Sequence, residues 1–202
     1  MLFRSYEFGG PAIDALSMEE RMTICNMSIE GGARCGYINP DEKTFAYIKN
    51  RLYSPKNKYW DRALLWWKSL KSDANSIYDD VIKLDASKVE PTVTWGITPG
   101  QSVGINQKIP RLADLSPNDQ YIAEEAYQYM NFKPGQSIKD TPVDVCFIGS
   151  CTNGRISDLR IAAKVLKNKK VSYKVKAFVV PGSEKVASDR KSTRLNSSHR
   201  CI

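Results

Sequence analysis

Three side chains in this sequence have types and surroundings suited to chemistry: Cys151, Asn26 and Glu30. Cys151 lies in Gly149-Ser150-Cys151-Thr152-Asn153-Gly154-Arg155, between an apolar run, Val143 to Ile148, and an amphipathic stretch, Ile156 to Lys167. That pattern predicts a strand, a tight turn and a helix, with the thiol at the turn. Unpaired backbone N–H groups and the positive end of the helix dipole there favour the thiolate, the form that binds metal or attacks an electrophile. Three readings stay open on these residues alone. The cysteine can be a packed turn residue. It can be a nucleophile, but the only histidine to act as its base is His199, near the C-terminus. It can be a metal or cluster ligand, although one thiol is too few and no C-x-x-C occurs in the chain.

The second group belongs to a helix. Ser17 with Glu20 three residues on forms a capping-box pattern ahead of Met22, Ile24 and Cys25, and predicts a helix running to Ile29 or Glu30, where Gly31-Gly32 stops it. Asn26 and Glu30, four apart, then share one helix face. Such a pair is ordinarily solvated. Here Met22, Met27 and Ile29 flank it, and Gly31-Gly32-Ala33 would admit a ligand or another backbone at close range.

The remaining elements alternate. Asp41 caps a helix through Lys49, and Lys58 to Leu70 is another, whose Trp60, Trp66 and Trp67 read as core or interface. Val81 to Leu84 and Thr92 to Trp95 alternate like strands, Gly96 to Gly104 reads as loop, and Ser116-Pro117 opens a helix to Met130. A linker, Asn131 to Thr141, leads to the strand before Cys151, and Lys174 to Val180 is the next strand. The last two strands and the helix between them make a parallel β-α-β unit. The class is α/β. Cys146 falls within an apolar strand and reads as core, and Cys25 and Cys35 read as packing residues.

Gly149-Ser150-Cys151-Thr152-Asn153 with Arg155 and Asp158-Leu159-Arg160 resembles the first iron–sulfur signature of the aconitase family. Leu16 to Ala33 is similar to the family's other active-site stretch. Asn39-Pro40-Asp41-Glu42, Thr94-Trp95-Gly96, Pro99-Gly100-Gln101 and Pro181-Gly182-Ser183 fall in the family's order. The resemblance covers roughly Tyr6 to Ala187. Within the family, the wording is closest to the large subunit of the bacterial two-subunit hydro-lyases of leucine biosynthesis.

The resemblance implies a three-layer α/β/α fold, incomplete at both ends, and a [4Fe-4S] cluster held by three cysteines with one iron left open. That iron is a Lewis acid for removing and returning water, exchanging 2-isopropylmalate and 3-isopropylmalate. It further implies that Cys151 is one cluster ligand, that Asn26 and Glu30 are active-site polar residues, and that Arg155 and Asp158 support the structure. A separate small subunit is the implied partner, a hydroxy-dicarboxylate the substrate, and the cytoplasm the location. The family's other two ligands form a C-x-x-C pair absent here, so this chain alone is expected to bind no intact cluster and to lack dehydratase activity. Homoaconitase and citrate-type aconitase are the alternatives within the family. RNA binding by an aconitase-like protein without its cluster, and an anion cradle at Ser150 to Gly154, are alternatives of other classes.

Both ends read differently from the rest. Asp189 to His199 and Leu2 to Ser5 resemble reading frames of a sequencing-library adapter, so residues 1–5 and 189–202 are set apart. The expected organisation is then 6–139, an α/β domain carrying Asn26 and Glu30, and 140–188, the start of an iron–sulfur domain. The formal charge of the whole chain is +8. The ends contribute Arg4, Arg190, Lys191, Arg194 and Arg200 against Asp189, which leaves +4 on dispersed lysines and argues against a nucleic-acid partner. No apolar run reaches the ~20 residues of a membrane span. The cysteines are too few and unpatterned for a disulfide framework.

Overall fold

The computed structural model describes residues 5–139, 141–150 and 152–192, with side chains up to 188. Cys151 therefore lies outside the described residues, as do Asp140 and the ends. The described residues up to Val81 and from Asp144 onward form one compact unit, and Ile82–Val143 form another. This grouping differs from a division at 139/140. The signature strand and helix pack with the N-terminal elements, and the intervening segment closes on a core of its own.

The first unit opens with a parallel β-α-α-β arrangement that periodicity does not reveal, because its strands are four residues each. β1 (Ser5–Phe8) pairs with β2 (Cys35–Ile38) in the register Ser5↔Cys35 to Phe8↔Ile38. Ser5, set apart in the sequence reading, is thus a strand residue. α1 (Pro11–Ala15) and α2 (Met18–Asn26) make the crossover. The capping box of α2 forms as expected: the Glu20 amide donates to Ser17 Oγ at 3.3 Å and the Ser17 amide to Glu20 Oε2 at 2.7 Å. Gly36 lets β2 lie against α2, since a Cβ there would stand 2.7 Å from the Cys25 Cα.

Asp41 caps α3 (Glu42–Ile48), accepting from the Thr44 amide at 3.0 Å. The same carboxylate pairs with Arg21 at 2.7 Å, and the Arg21 side chain is only 3% exposed. α4 (Lys58–Lys68) brings Trp67 onto buried Phe45, rings stacked at 6.4 Å, with Trp60 edge-on at 5.6 Å. Trp66 faces out, 63% exposed, so it is no part of this unit's core.

Further along the chain, β5 (Val145–Ile148), α6 (Ile156–Leu166) and β6 (Lys176–Val179) form the expected parallel unit, Val145↔Lys176 to Ile148↔Val179. Leu159 is its buried anchor. Cys146 is only half-buried, on a strand of a two-stranded sheet, so it is not the core residue expected. α7 (Glu184–Ser192) continues across the 188/189 join.

In the other unit, β3 (Thr92–Thr94) pairs antiparallel with β4 (Ser102–Gly104), so the last three residues of the expected Gly96–Gly104 loop are strand. Val81 to Leu84 is not a strand. Its apolar side chains are exposed and its backbone has no ladder partner, so the local alternation alone does not hold it extended. α5 (Pro117–Met130) starts at its Ser116 cap. Trp95, Val103, Ile109, Ala123, Ala126 and Tyr127 make the core, with Trp95 and Tyr127 stacked at 5.2 Å. Gln101 folds beneath Gly96, its Oε1 accepting from the Ile97 and Thr98 amides. A Cβ on Gly96 would fall 2.2 Å from that oxygen. The Thr-Trp-Gly and Pro-Gly-Gln segments thus have a packing role here.

Candidate functional site

The site is best built from the turn that flanks Cys151. Gly149, at φ +131°, leaves β5 so closely against β6 that a Cβ would stand 2.3 Å from the Val180 carbonyl oxygen. The turn then closes on itself. Ser150 Oγ accepts from the Asn153 amide at 2.9 Å and lies 3.1 Å from Thr152 Oγ1. Gly154 meets Gly182, whose amide donates to the Gly154 carbonyl at 2.8 Å. The Arg155 amide donates to Asp158 Oδ2 at 3.0 Å, which starts α6. Thr152 and Gly154 are buried and Asn153 is exposed.

α2 reaches this turn across the fold. Arg155 Nη1 donates to the Thr152 carbonyl, to the Glu19 carbonyl at 3.3 Å and to Thr23 Oγ1 at 3.2 Å. Thr23 Oγ1 donates to Glu19 at 3.0 Å and stands 3.5 Å from Asn153 Oδ1. Thr23 precedes Asn26 by three positions on the same helix, and Asn153 follows Cys151 by two. Two segments separated by about 130 residues are therefore adjacent in space.

One expectation about this stretch is corrected. α2 ends at Asn26, with Met27 as its C-cap at φ −77°, ψ 0°, so Asn26 and Glu30 do not share a helix face. The backbone tightens into turns instead. The Ser28 amide donates to Cys25 O at 3.4 Å and the Gly32 amide to Ile29 O at 2.9 Å. Ser28, buried, bonds back to Ile24 O at 3.1 Å, drawing the chain off the helical path toward Gly31-Gly32. Asn26 and Glu30 are both exposed, one at the helix end and one in the turn after it.

Among the described residues, Cys25, Cys35 and Cys146 are free thiols, with Cys35 exposed. Burial pushes the Cys25 thiol up, with nearby Cys35 adding to it. Arg21 raises a different question, since its Nε and Nη1 are buried without a hydrogen-bond partner. Its charge is met by Asp41, held at about 2 chiefly by that guanidinium. Among the described residues, no three His, Cys, Asp or Glu side chains gather as a metal site. Cys151 lies outside the described residues, a single thiol does not fit a four-iron group by itself, and no step through a cluster is derived for this chain.

Periodicity and motif reading missed the joint roles of Thr23 and Arg155. Each lies in a recognisable segment, but no local signal pairs residues 132 positions apart.

Comparison with known proteins gives relatives along nearly the whole chain. The 3-isopropylmalate dehydratase large subunit of Prochlorococcus marinus strain MIT 9312 is 84% identical over 192 residues, which is 95% of this chain and 41% of that protein. The same subunit from strain AS9601 is 82% identical over equal shares. That from strain MIT 9515 is 74% identical, again over 95% of this chain and 41% of its own length. The chain thus spans about two fifths of the length of these relatives. Among the described residues no helix is long and apolar enough to cross a membrane. The model of the aconitase family (aconitate hydratase) matches residues 4–198, reaching into both segments that resemble adapter sequence. The chain belongs to the aconitase family.

Proposed function

We propose that this chain is part of a hydro-lyase large subunit that interconverts 2-isopropylmalate and 3-isopropylmalate by dehydration and rehydration. In the family-length protein, Cys151 is one thiolate ligand of a [4Fe-4S] cluster, whose Lewis acidity would ease departure of hydroxide from the substrate. Asn26 and Glu30 face the substrate hydroxyl or the released water, Asn26 as a hydrogen-bond partner and Glu30 as a proton carrier. A small subunit completes the pocket, and the assembly is cytoplasmic. In domain terms, residues 6–139 carry the Asn26 and Glu30 stretch and 140–188 begin the iron–sulfur domain.

One observation carries the reading: the contact of Thr23 with Asn153 and Arg155, which puts the helix of Asn26 beside the turn of Cys151. The exposure of Asn26 and Glu30 leaves both free to meet a ligand. The names of the relatives supply the substrate class.

The test uses a family-length protein containing these residues, reconstituted with iron and sulfide and assembled with a small subunit. Cys151→Ser is expected to abolish the cluster's visible absorbance and turnover of 3-isopropylmalate together. Asn26→Ala and Glu30→Gln are expected to lower kcat by on the order of 10²–10⁴-fold with the absorbance retained. Full absorbance and turnover in Cys151→Ser would remove Cys151 from the cluster. Preference for citrate or homoaconitate would move the substrate assignment to another branch of the family.

A further inference from the structure

We infer that Arg155 is a positioning residue that locks the turn of Thr152 to Gly154 to α2, so that this turn and the helix of Asn26 keep one geometry. The inference rests on the reading above, which places Cys151 and Asn26 at one site. Arg155 Nη1 is shared among three acceptors on two segments: Thr152 O in the turn, and Glu19 O and Thr23 Oγ1 on α2. Thr23 gives its own proton to Glu19 O, which leaves its oxygen lone pairs for the guanidinium. The Arg155 backbone is separately fixed by Asp158. These are charge-assisted bonds in a half-buried setting, stronger than neutral ones.

The turn's other anchors lead elsewhere. Gly149 rests against Val180 and Gly154 against Gly182, which tie the turn to the end of β6. Among the described residues, the hydrogen bonds joining the turn to α2 run from Arg155 to Glu19 and Thr23, with Asn153 Oδ1 standing 3.5 Å from Thr23 Oγ1. Thr23 sits one helical turn before Asn26, so slack at this joint reaches Asn26 directly. Reacting groups must be held within about half an ångström, and a joint that slips would misplace them. A lysine cannot replace the guanidinium, because its ammonium is a point charge without the planar fork.

The test is amide hydrogen exchange by mass spectrometry on the full 202-residue chain under reducing conditions, with Thr23→Val, Thr23→Ser and Arg155→Lys. Alkylation of Cys151 by iodoacetamide at fixed pH, followed on its own peptide, is the second readout. Thr23→Val is expected to speed exchange in residues 150–158 by on the order of tenfold and to speed alkylation of Cys151. Arg155→Lys is expected to loosen residues 18–26 in return, and Thr23→Ser, which keeps the hydroxyl, to match the parent chain. Unchanged exchange at 150–158 in Thr23→Val would overturn the inference, since Arg155 would then serve only its own turn. Peptides covering α3 (Glu42–Ile48), in the same unit but away from the joint, report whether that unit stays folded. If Thr23→Val loses protection there too, Arg155→Lys and Thr23→Ser decide, the first loosening α2 and the second not. Cluster binding by the family-length protein with the two segments uncoupled would sink this inference alone. Coupled segments without a cluster would sink the functional reading alone.

Discussion

Residues Ile82–Val143 enclose a hydrophobic core in which Trp95 stacks on Tyr127 and Ala126 has no exposure at all. The unit that carries the candidate site is built otherwise. Its buried residues include Ala33, Phe45 and Leu159 but also Arg21, Ser28 and Thr152. Phe147 on β5 is 60% exposed. Polar ties do much of the joining: Arg21 to Asp41, Arg155 to α2, and Glu7 to both Asn39 and Ser72 at 2.8 Å. Apolar packing is tolerant of direction, whereas hydrogen bonds hold a few atoms at set distances. The first unit is thus held by contacts that specify geometry, and the second by contacts that supply stability.

The largest expected effect falls on the second unit. Trp95→Ala should cost about 3–5 kcal/mol, from lost burial and the cavity left beside Tyr127. Trp95→Phe keeps a ring and removes a buried Nε1–H that has no partner, so it should cost less. Denaturant unfolding with hydrogen exchange checks this. Protection should vanish across 92–138 while that of α2 and α6 remains. Equal loss in both units would break the distinction between them.

That contrast also explains what could be read in advance. Helix starts were legible at Ser17, Asp41 and Ser116, because a capping side chain bonds amides two or three residues away. The β5-α6-β6 unit was legible through its apolar run and amphipathic helix. Helix ends were less so. Gly31-Gly32 signals a stop, but Ser28, bonding back to Ile24, turns the chain earlier, and Glu30 leaves the face of Asn26. β1 and β2 escaped notice since their pairing is non-local and each strand is a single short alternation. The joint at Thr23 and Arg155 is the extreme case, fixed by tertiary packing alone.

A smaller effect tests the polar side of the comparison by pH. The Asp41 carboxyl is held at about 2 against an ordinary 3.8, first by the Arg21 hydrogen bond and also by the Thr44 amide and hydroxyl. A depressed folded-state value contributes stability that is complete above the unfolded value and is lost as pH falls from about 4 toward about 2. Asp41 is 38% exposed, so solvent screening reduces the contribution to about 1 kcal/mol. Thermal unfolding between pH 5 and pH 2 should show this decline in the parent chain, and Asp41→Asn should flatten it. The variant should also be less stable at neutral pH, where the Arg21 charge loses its partner. An unaltered pH profile in Asp41→Asn would show that this ion pair does not help hold the unit.

The smallest effect is the most local. Ser17→Ala removes the oxygen that caps α2, at about 1 kcal/mol. Glu20 is held below the usual carboxylate range by its bonds to Ser17, backbone first, and loses part of that hold in the variant. The first turn of α2 should fray, with faster exchange at Glu20 and Arg21. The joint to the turn begins within that first turn, at Glu19 O, and ends one turn on, at Thr23, so the fraying reaches Thr23 only if α2 moves as one rod. Exchange at residues 150–158 in Ser17→Ala therefore sharpens the comparison. Acceleration there means that helix order passes through the Arg155 joint to the turn. Silence there means that the joint is held by its own hydrogen bonds, and that capping and positioning are separate properties of the same helix.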